Sequence, residues 1–332
     1  MRGKLYVIDG IDGSGKTTLA KKLVSYLKQE QPTWYISISD CVKQGVSNSI
    51  IEHNELPAHV ASNQMSRDDI PKMLQDIFNI NTVTRIDTAA KAVREILLDL
   101  ENVHSVIATD SNIHYVKAYH YNRLLEAYLN VMVEATEMFN KILDSGINIV
   151  ADRWFSSTLA YNGIVRKTYI SKAIKYFKKY YYRKADARTP YYLYDRVCFK
   201  KITVNKEHDH VYKDRYKDTM QYLAIQLDKI IKPDMEFIFL LDPNIALERI
   251  TANRPSKDVV FEDKDKLERV FSVYQRLNTD IDNLIYVKDK DKYKPVELLC
   301  GSFPRRFLDI RPHHDIDHIF NSIALDRPRL LP

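Results

Sequence analysis

The chain has 332 residues, 45% of them hydrophobic and 28% charged, with a formal net charge of +6. That balance excludes a disordered or fibrous protein, and no apolar run approaches the roughly 20 residues of a membrane span. The cysteines, Cys41, Cys198 and Cys300, are odd in number and in no metal spacing, and the N-terminus runs straight into an apolar segment, so a reducing cytoplasm and no leader are expected.

The first predicted element is a buried strand over Leu5-Tyr6-Val7-Ile8. Gly10-Ile11-Asp12-Gly13-Ser14-Gly15-Lys16-Thr17 follows and fits the spacing G-x-x-x-x-G-K-[ST] in full. Leu19, Leu23 and Leu27 then recur at helical spacing. A strand, a glycine-rich turn and a helix form the context in which backbone N–H groups can close around phosphate oxygens. Lys16 then reaches the β- and γ-phosphates of a nucleoside triphosphate, and the Thr17 hydroxyl holds Mg²⁺.

Trp34-Tyr35-Ile36-Ser37-Ile38 reads as a second strand. From Asp40 to about Thr82 the periodicity weakens, and a partly helical surface insertion is expected. Thr88 to Leu100 is an amphipathic helix, and a longer one runs from about Tyr121 to Leu143, stopped by Asp144-Ser145-Gly146. Ile147 to Ala151 is a buried strand that ends in Asp152-Arg153. Ligands of open parallel sheets bind beyond the carboxyl ends of the strands. A carboxylate there can hold the water shell of Mg²⁺, and an arginine can clamp a phosphate. An isolated Asp-Arg would be a strand-end salt bridge; the phosphate loop on the same sheet edge argues for the ligand role.

Between Arg166 and Lys217 the chain is dense in Lys, Arg and Tyr, as in Tyr176-Phe177-Lys178-Lys179-Tyr180-Tyr181-Tyr182-Arg183-Lys184. Such a stretch can stack on single-stranded nucleic acid, although it is more often a solvated helix with its rings on the domain. Phe237 to Leu241 is a third strong strand, closed by Asp242-Pro243 and followed by helices on either side of a loop from Pro255 to Glu262. Leu284 to Val287 is read as the last strand. The tail from Gly301 carries His314 and His318 at a spacing that could hold a metal, but a bland tail fits it better. The alternation implies an α/β fold, a doubly wound parallel sheet with helices on both faces. The domain spans 1–300 with insertions at about 40–82 and 166–217, and 301–332 is an extension.

With these residues in place, the chain resembles the thymidylate kinase family. The phosphate loop Ile11 to Thr18 is similar to the bacterial subtype. Asp152-Arg153-Trp154-Phe155-Ser156-Ser157-Thr158-Leu159-Ala160-Tyr161-Asn162-Gly163 resembles the pattern D-R-[aromatic]-x-x-S-x-x-A-Y-Q-G, with Asn162 in place of Gln. Leu241 to Ile250 looks like the family's strand and helix before its lid, Arg254 to Glu262 like the lid, and Thr84-Arg85 like its T-R-E-P-G-G segment with the Pro-Gly-Gly lost. The family's base-reading arginine would fall near Val131, where there is none.

The resemblance implies Mg²⁺-dependent, in-line phosphorylation of a deoxynucleoside monophosphate, dTMP above all, by ATP. It assigns ATP to Gly10, Asp12, Gly13, Ser14, Gly15, Lys16, Thr17 and Thr18. It assigns the acceptor to Asp12, Arg85, Asp152, Arg153, Ser157, Tyr161 and Asn162, with Tyr161 under the deoxyribose. Thr17 and Asp152 hold the metal, and Lys16, Arg153 and the lid residue Arg254 are catalytic. The partners implied are ATP and the monophosphate, with no membrane; a homodimer stays open, and nucleic acid is the lesser reading. Three rivals stand beside this one. They are a kinase for a modified pyrimidine monophosphate, a deoxynucleoside kinase with Asp40 as base, and a non-catalytic protein binding nucleotide and nucleic acid.

Overall fold

The computed structural model describes residues 1–56, 72–106, 113–162, 229–253, 264–279, 286–289, 292–295, 305–310 and 316–324. The insertion expected at 166–217, the lid loop with Arg254, Gly163 and His314 lie outside the described residues.

The fold is α/β, a parallel sheet flanked by helices. Strand β1 (Leu5–Gly10) is central, between β3 (Asn148–Asp152) and β4 (Met235–Leu241). Outside β3 lies β2 (Thr33–Ser37), and outside β4 lies β7 (Arg305–Ile310), all pairs parallel. Every residue of β1, β2 and β3 is buried, so both faces of the sheet are covered, which is why these strands read as continuous apolar runs. The chain leaves β1 toward β2 and β3, and only later returns to the other side as β4. The carboxyl end of β1 is therefore the point where the winding reverses, and a crevice opens there.

Helix α1 (Lys16–Leu27) starts in that crevice and buries Leu19, Leu23 and Leu27 against the sheet. The segment expected as a surface insertion begins with α2 (Ile38–Gln44) and α3 (Val46–Asn54), both tied to the core. Ile38, Cys41, Val42, Val46 and Ile50 are buried. Ser37 ends β2 and caps α2, its hydroxyl accepting from the Asp40 amide at 3.2 Å. The short α4 (Lys72–Ile77) precedes two long helices, α5 (Ile80–Val106) and α6 (Ile113–Asp144), which pack along each other and extend past the predicted ends. Asp87 on α5 caps α3 by accepting from the Val46 amide at 3.0 Å.

After β3 comes α7 (Phe155–Asn162), and after β4 comes α8 (Pro243–Asn253); α9 (Lys264–Thr279) packs on α7 and β4. At the junction of β3 and α7, Trp154 is fully buried, stacks on Phe139 of α6 at 4.9 Å and donates to the Ile231 carbonyl at 3.1 Å. Phe139→Ala removes that stack without touching the crevice. It should lower the unfolding free energy by about 3–5 kcal/mol in urea titration; a loss under about 1 kcal/mol would show that the site simply collapses.

Two expectations about the C-terminal part change. The predicted last strand falls in β5 (Tyr286–Asp289), which pairs with β6 (Lys292–Pro295) in a separate antiparallel ribbon. The fifth strand of the main sheet is β7, drawn from the segment read as an extension. Its Arg305 reaches the fully buried Glu236 of β4 at 2.5 Å, and its Leu308 and Ile310 are buried. Helix α10 (Ile316–Ala324) then lays Ile319, Phe320 and Ile323 on α1, with Phe320 edge-on to Tyr26 at 5.5 Å. Residues 305–310 and 316–324 are part of the core because they carry the sheet's missing edge and the apolar cover for α1.

Candidate functional site

The crevice at the reversal point holds a cleft of 680 Å³. Its floor is the loop between β1 and α1. Gly13 and Gly15 take left-handed backbone conformations, φ 78° and 90°. A Cβ on Gly13 would lie 2.6 Å from the Ala246 carbonyl of α8, so only glycine lets the loop lie this close to that helix. Ser14 donates to the Ile11 carbonyl at 2.8 Å, and the Gly10 carbonyl lies near the Tyr274 hydroxyl of α9. The loop is thus held from both sides before any ligand arrives.

Lys16 is buried, donates to the Ile11 carbonyl at 2.6 Å and stands 3.7 Å from Asp12. Burial, and after it the neighbouring Arg153, lower its pKa from 10.5 to about 8 against the pull of nearby aspartates. Thr17 donates to Asp152 Oδ2 at 2.5 Å, and the Tyr35 hydroxyl donates to the same oxygen at 3.0 Å. Asp152 Oδ1 is buried and has no hydrogen-bond partner among the described residues. An unsatisfied carboxylate oxygen beside a threonine hydroxyl is a hard-oxygen donor set, and it fits Mg²⁺. Thr17 and Asp152 are the residues that would hold it.

Beside the loop stands Arg153, the first residue after β3, at φ 72°. A non-glycine residue in this conformation is uncommon, and here it turns the side chain back over the loop. The guanidinium pairs with Asp12, donates to Ser157 at 3.3 Å and lies over the Tyr161 ring, 4.8 Å from its centre. The Tyr161 hydroxyl donates to Asp12 Oδ2 at 2.9 Å and accepts from the Asp12 amide at 2.8 Å. Asp12, Arg153 and Tyr161 therefore form one unit, and Lys16 stands beside it, facing the same Asp12 oxygen as Arg153 does. Beneath it Ser157 bonds to Asp9 and lies 2.9 Å from the Tyr274 hydroxyl. Burial, with Glu236 close by, holds Asp9 well above the usual carboxylate range. That buried layer fixes the unit from below.

Of the residues picked from sequence, Asp12, Gly13, Gly15, Lys16, Thr17, Thr18, Asp152, Arg153, Ser157, Tyr161 and Asn162 line this cleft. Gly10 and Ser14 support it from the loop. Arg85 does not come to it. It lies within α5, not in a loop after a strand, and is paired with Glu134 at 2.8 Å and with Glu137 of α6. The segment that does follow β2 is α2, and it brings Ser39, Asp40 and Lys43 to the cleft. Sequence reasoning weighed Asp40 alone of these; the end of β2 at Ser37 was the signal for the others. Arg249 of α8 also lines the cleft, as do Leu97, Tyr128 and Met132 from the two long helices. Val131 is fully buried, and its neighbours Tyr128 and Met132 give that wall a phenol and a thioether instead of a guanidinium.

Among the described residues no group of three His, Cys, Asp or Glu side chains forms a metal cluster, and no helix is long and apolar enough to cross a membrane. No protein-family model matches the chain, and no curated protein matches it. Among solved structures, the chain is similar to the thymidylate kinase of Candida albicans, described for its broad substrate specificity and a novel structural element. The two share 16% identity at a TM-score of 0.45, over 99% of this chain and 94% of that one.

Proposed function

We propose that the chain transfers the γ-phosphoryl group of ATP to a deoxynucleoside monophosphate, with dTMP as the first candidate. The observation that carries this reading is the placement of two cations, the buried Lys16 and the half-buried Arg153, on one cleft. Lys16 belongs to the glycine-rich loop, and Arg153 is held beside it by Asp12 and Tyr161, the two cations facing one Asp12 oxygen. A donor triphosphate on the loop and an acceptor phosphate on Arg153 would be brought side by side at this pair of cations. The acceptor's second pKa is about 6, so it arrives mostly as a dianion and needs no base. Catalysis is then alignment and neutralisation of charge. Mg²⁺ at Thr17 and Asp152 would supply further positive charge on the phosphates. Tyr161 lies beside Asp12 where a sugar would rest, and Leu97, Tyr128 and Met132 offer a base an apolar wall. That wall also favours a second reading, a modified pyrimidine monophosphate whose apolar 5-substituent is larger than the methyl of dTMP. Arg254 is proposed as a further cation over the transferring group.

The test is coupled ADP release with ATP and a panel of deoxy- and ribonucleoside monophosphates. Turnover of at least one deoxynucleoside monophosphate is expected; ATP binding with no monophosphate turnover would refute the proposal.

Lys16 adds a pH signature. Without ligand its pKa is about 8. Between that pH and the free value of 10.5 the folded chain has lost a proton that the unfolded chain keeps, so this residue makes the ligand-free fold gain stability as pH rises. ATP binding runs the other way, because bound phosphates favour charged Lys16. Apparent ATP affinity should fall as pH rises through about 8, by up to about tenfold per unit, with proton uptake on binding. Calorimetry in buffers of different ionisation enthalpy measures both, and Lys16→Met should lose the effect.

A further inference from the structure

The cleft carries a carboxylate that monophosphate transfer does not use. Asp40 lies in the first turn of α2, directly beyond the carboxyl end of β2. Ser37 of β2 is in register with Asp152 of β3, so Asp40 stands one helical turn beyond the strand pair that carries Asp152. Both line the cleft, with Lys16, Thr17 and Arg153. His53 of α3 holds Asp40 Oδ2 at 3.0 Å and is itself held edge-on against the Tyr35 ring, 5.0 Å between centres. Asp40 Oδ1 makes no hydrogen bond among the described residues. One carboxylate oxygen is therefore anchored and the other is left open, which is the arrangement a proton acceptor needs.

A dianionic phosphate has no proton to give, and a carboxylate near it only repels it. A hydroxyl is different. It is un-ionised at neutral pH and must lose its proton as it attacks. We propose that Asp40 is a general base that lets this cleft also phosphorylate the 5′-hydroxyl of a deoxynucleoside, so that one site serves two successive acceptors. The proposal rests on the donor site described above. The nucleoside lies one phosphate deeper than the monophosphate, with its O5′ where the acceptor oxygen otherwise stands. O5′ bonds to the γ-phosphorus as the bond from that phosphorus to the β,γ-bridging oxygen breaks. ADP leaves with that electron pair, and the hydroxyl proton passes to Asp40 Oδ1 and then to water. The product is the substrate of the monophosphate reaction. Lys43, on the next turn of α2 and also lining the cleft, offsets the charge of Asp40 when the acceptor is phosphorylated.

The experiment measures ADP release by the full chain with four deoxynucleosides and their monophosphates, for wild type, Asp40→Asn and Asp40→Ala. Asparagine keeps the size and can still accept from His53, and monophosphate turnover in the same sample reports on folding. Wild type should turn over at least one nucleoside. In both variants the ratio of nucleoside to monophosphate turnover should fall at least about a hundredfold. An unchanged ratio, or a wild type that uses monophosphates and no nucleoside, overturns this inference and leaves the monophosphate reaction standing. A wild type that uses only nucleosides refutes the monophosphate reaction instead, and Asp40 then stands or falls on the loss of nucleoside turnover in Asp40→Asn. ATP binding with no turnover of either class refutes both.

Discussion

Lys16→Ala should cut turnover a hundredfold or more, about 3 kcal/mol of transition-state stabilisation, while the fold survives. The side chain is buried in the loop, but its polar contacts are a carbonyl at 2.6 Å and a carboxylate at 3.7 Å. Neither holds elements of the fold together. Removing the ammonium also relieves a buried charge whose pKa has already dropped to about 8, so the variant should be no less stable than wild type at neutral pH. Steady-state kinetics and a urea titration on the same preparation check both halves. Near-normal kinetics would refute the phosphoryl-transfer reading; lost activity with lost folding would mean the loop needs the lysine to form.

The second large effect is expected at Arg153. Arg153→Ala should raise KM for the monophosphate and lower kcat, a combined loss of about a thousandfold, or about 4 kcal/mol, because the guanidinium would touch the acceptor in ground and transition states alike. Lysine should rescue little, since it cannot reproduce the planar contacts to Asp12, Ser157 and the Tyr161 ring. The backbone gives an internal control. At φ 72° a side chain is strained and glycine is not, so Arg153→Gly should be more stable than Arg153→Ala by about 1 kcal/mol and equally inactive. Equal stabilities would mean that the neighbouring contacts, and not the turn, set the local conformation.

How much of this was legible in the sequence follows from how local each signal is. The glycine-rich loop is eight consecutive residues between two periodic elements, so its place between β1 and α1 could be read outright. Asp152-Arg153 was legible because a buried strand announced its own end. Tyr161 and Ser157 were found only by resemblance, yet both fall in the cleft because α7 is short and leaves β3 directly. Arg85 misled because its neighbours match a loop motif, while the chain around it has the unbroken period of a 27-residue helix. Of the residues that occupy the end of β2, Ser39 and Lys43 were hidden in a stretch whose burial comes from α3 and α5 packing on α2, contacts no local pattern reports. Strand β7 was missed for the same reason. Arg305 and Arg306 open it, and an arginine pair reads as surface until its partner, Glu236, is known.

That partner has a consequence for how the molecule is assembled. Strand β4, with Phe237, Ile238, Phe239, Leu240 and Leu241, is the kind of apolar rim that recruits a strand from another molecule and seeds aggregates. The second residue of this strand is a carboxylate with no exposure at all, Glu236. An incoming strand without a cation at that register would bury an uncompensated charge, at a cost of several kcal/mol. Arg305 meets the requirement, in register with Glu236, from about 70 residues further along the same chain. The buried ion pair thus acts as a password for the last place in the sheet, admitting the chain's own strand and refusing strangers while the rim is still bare.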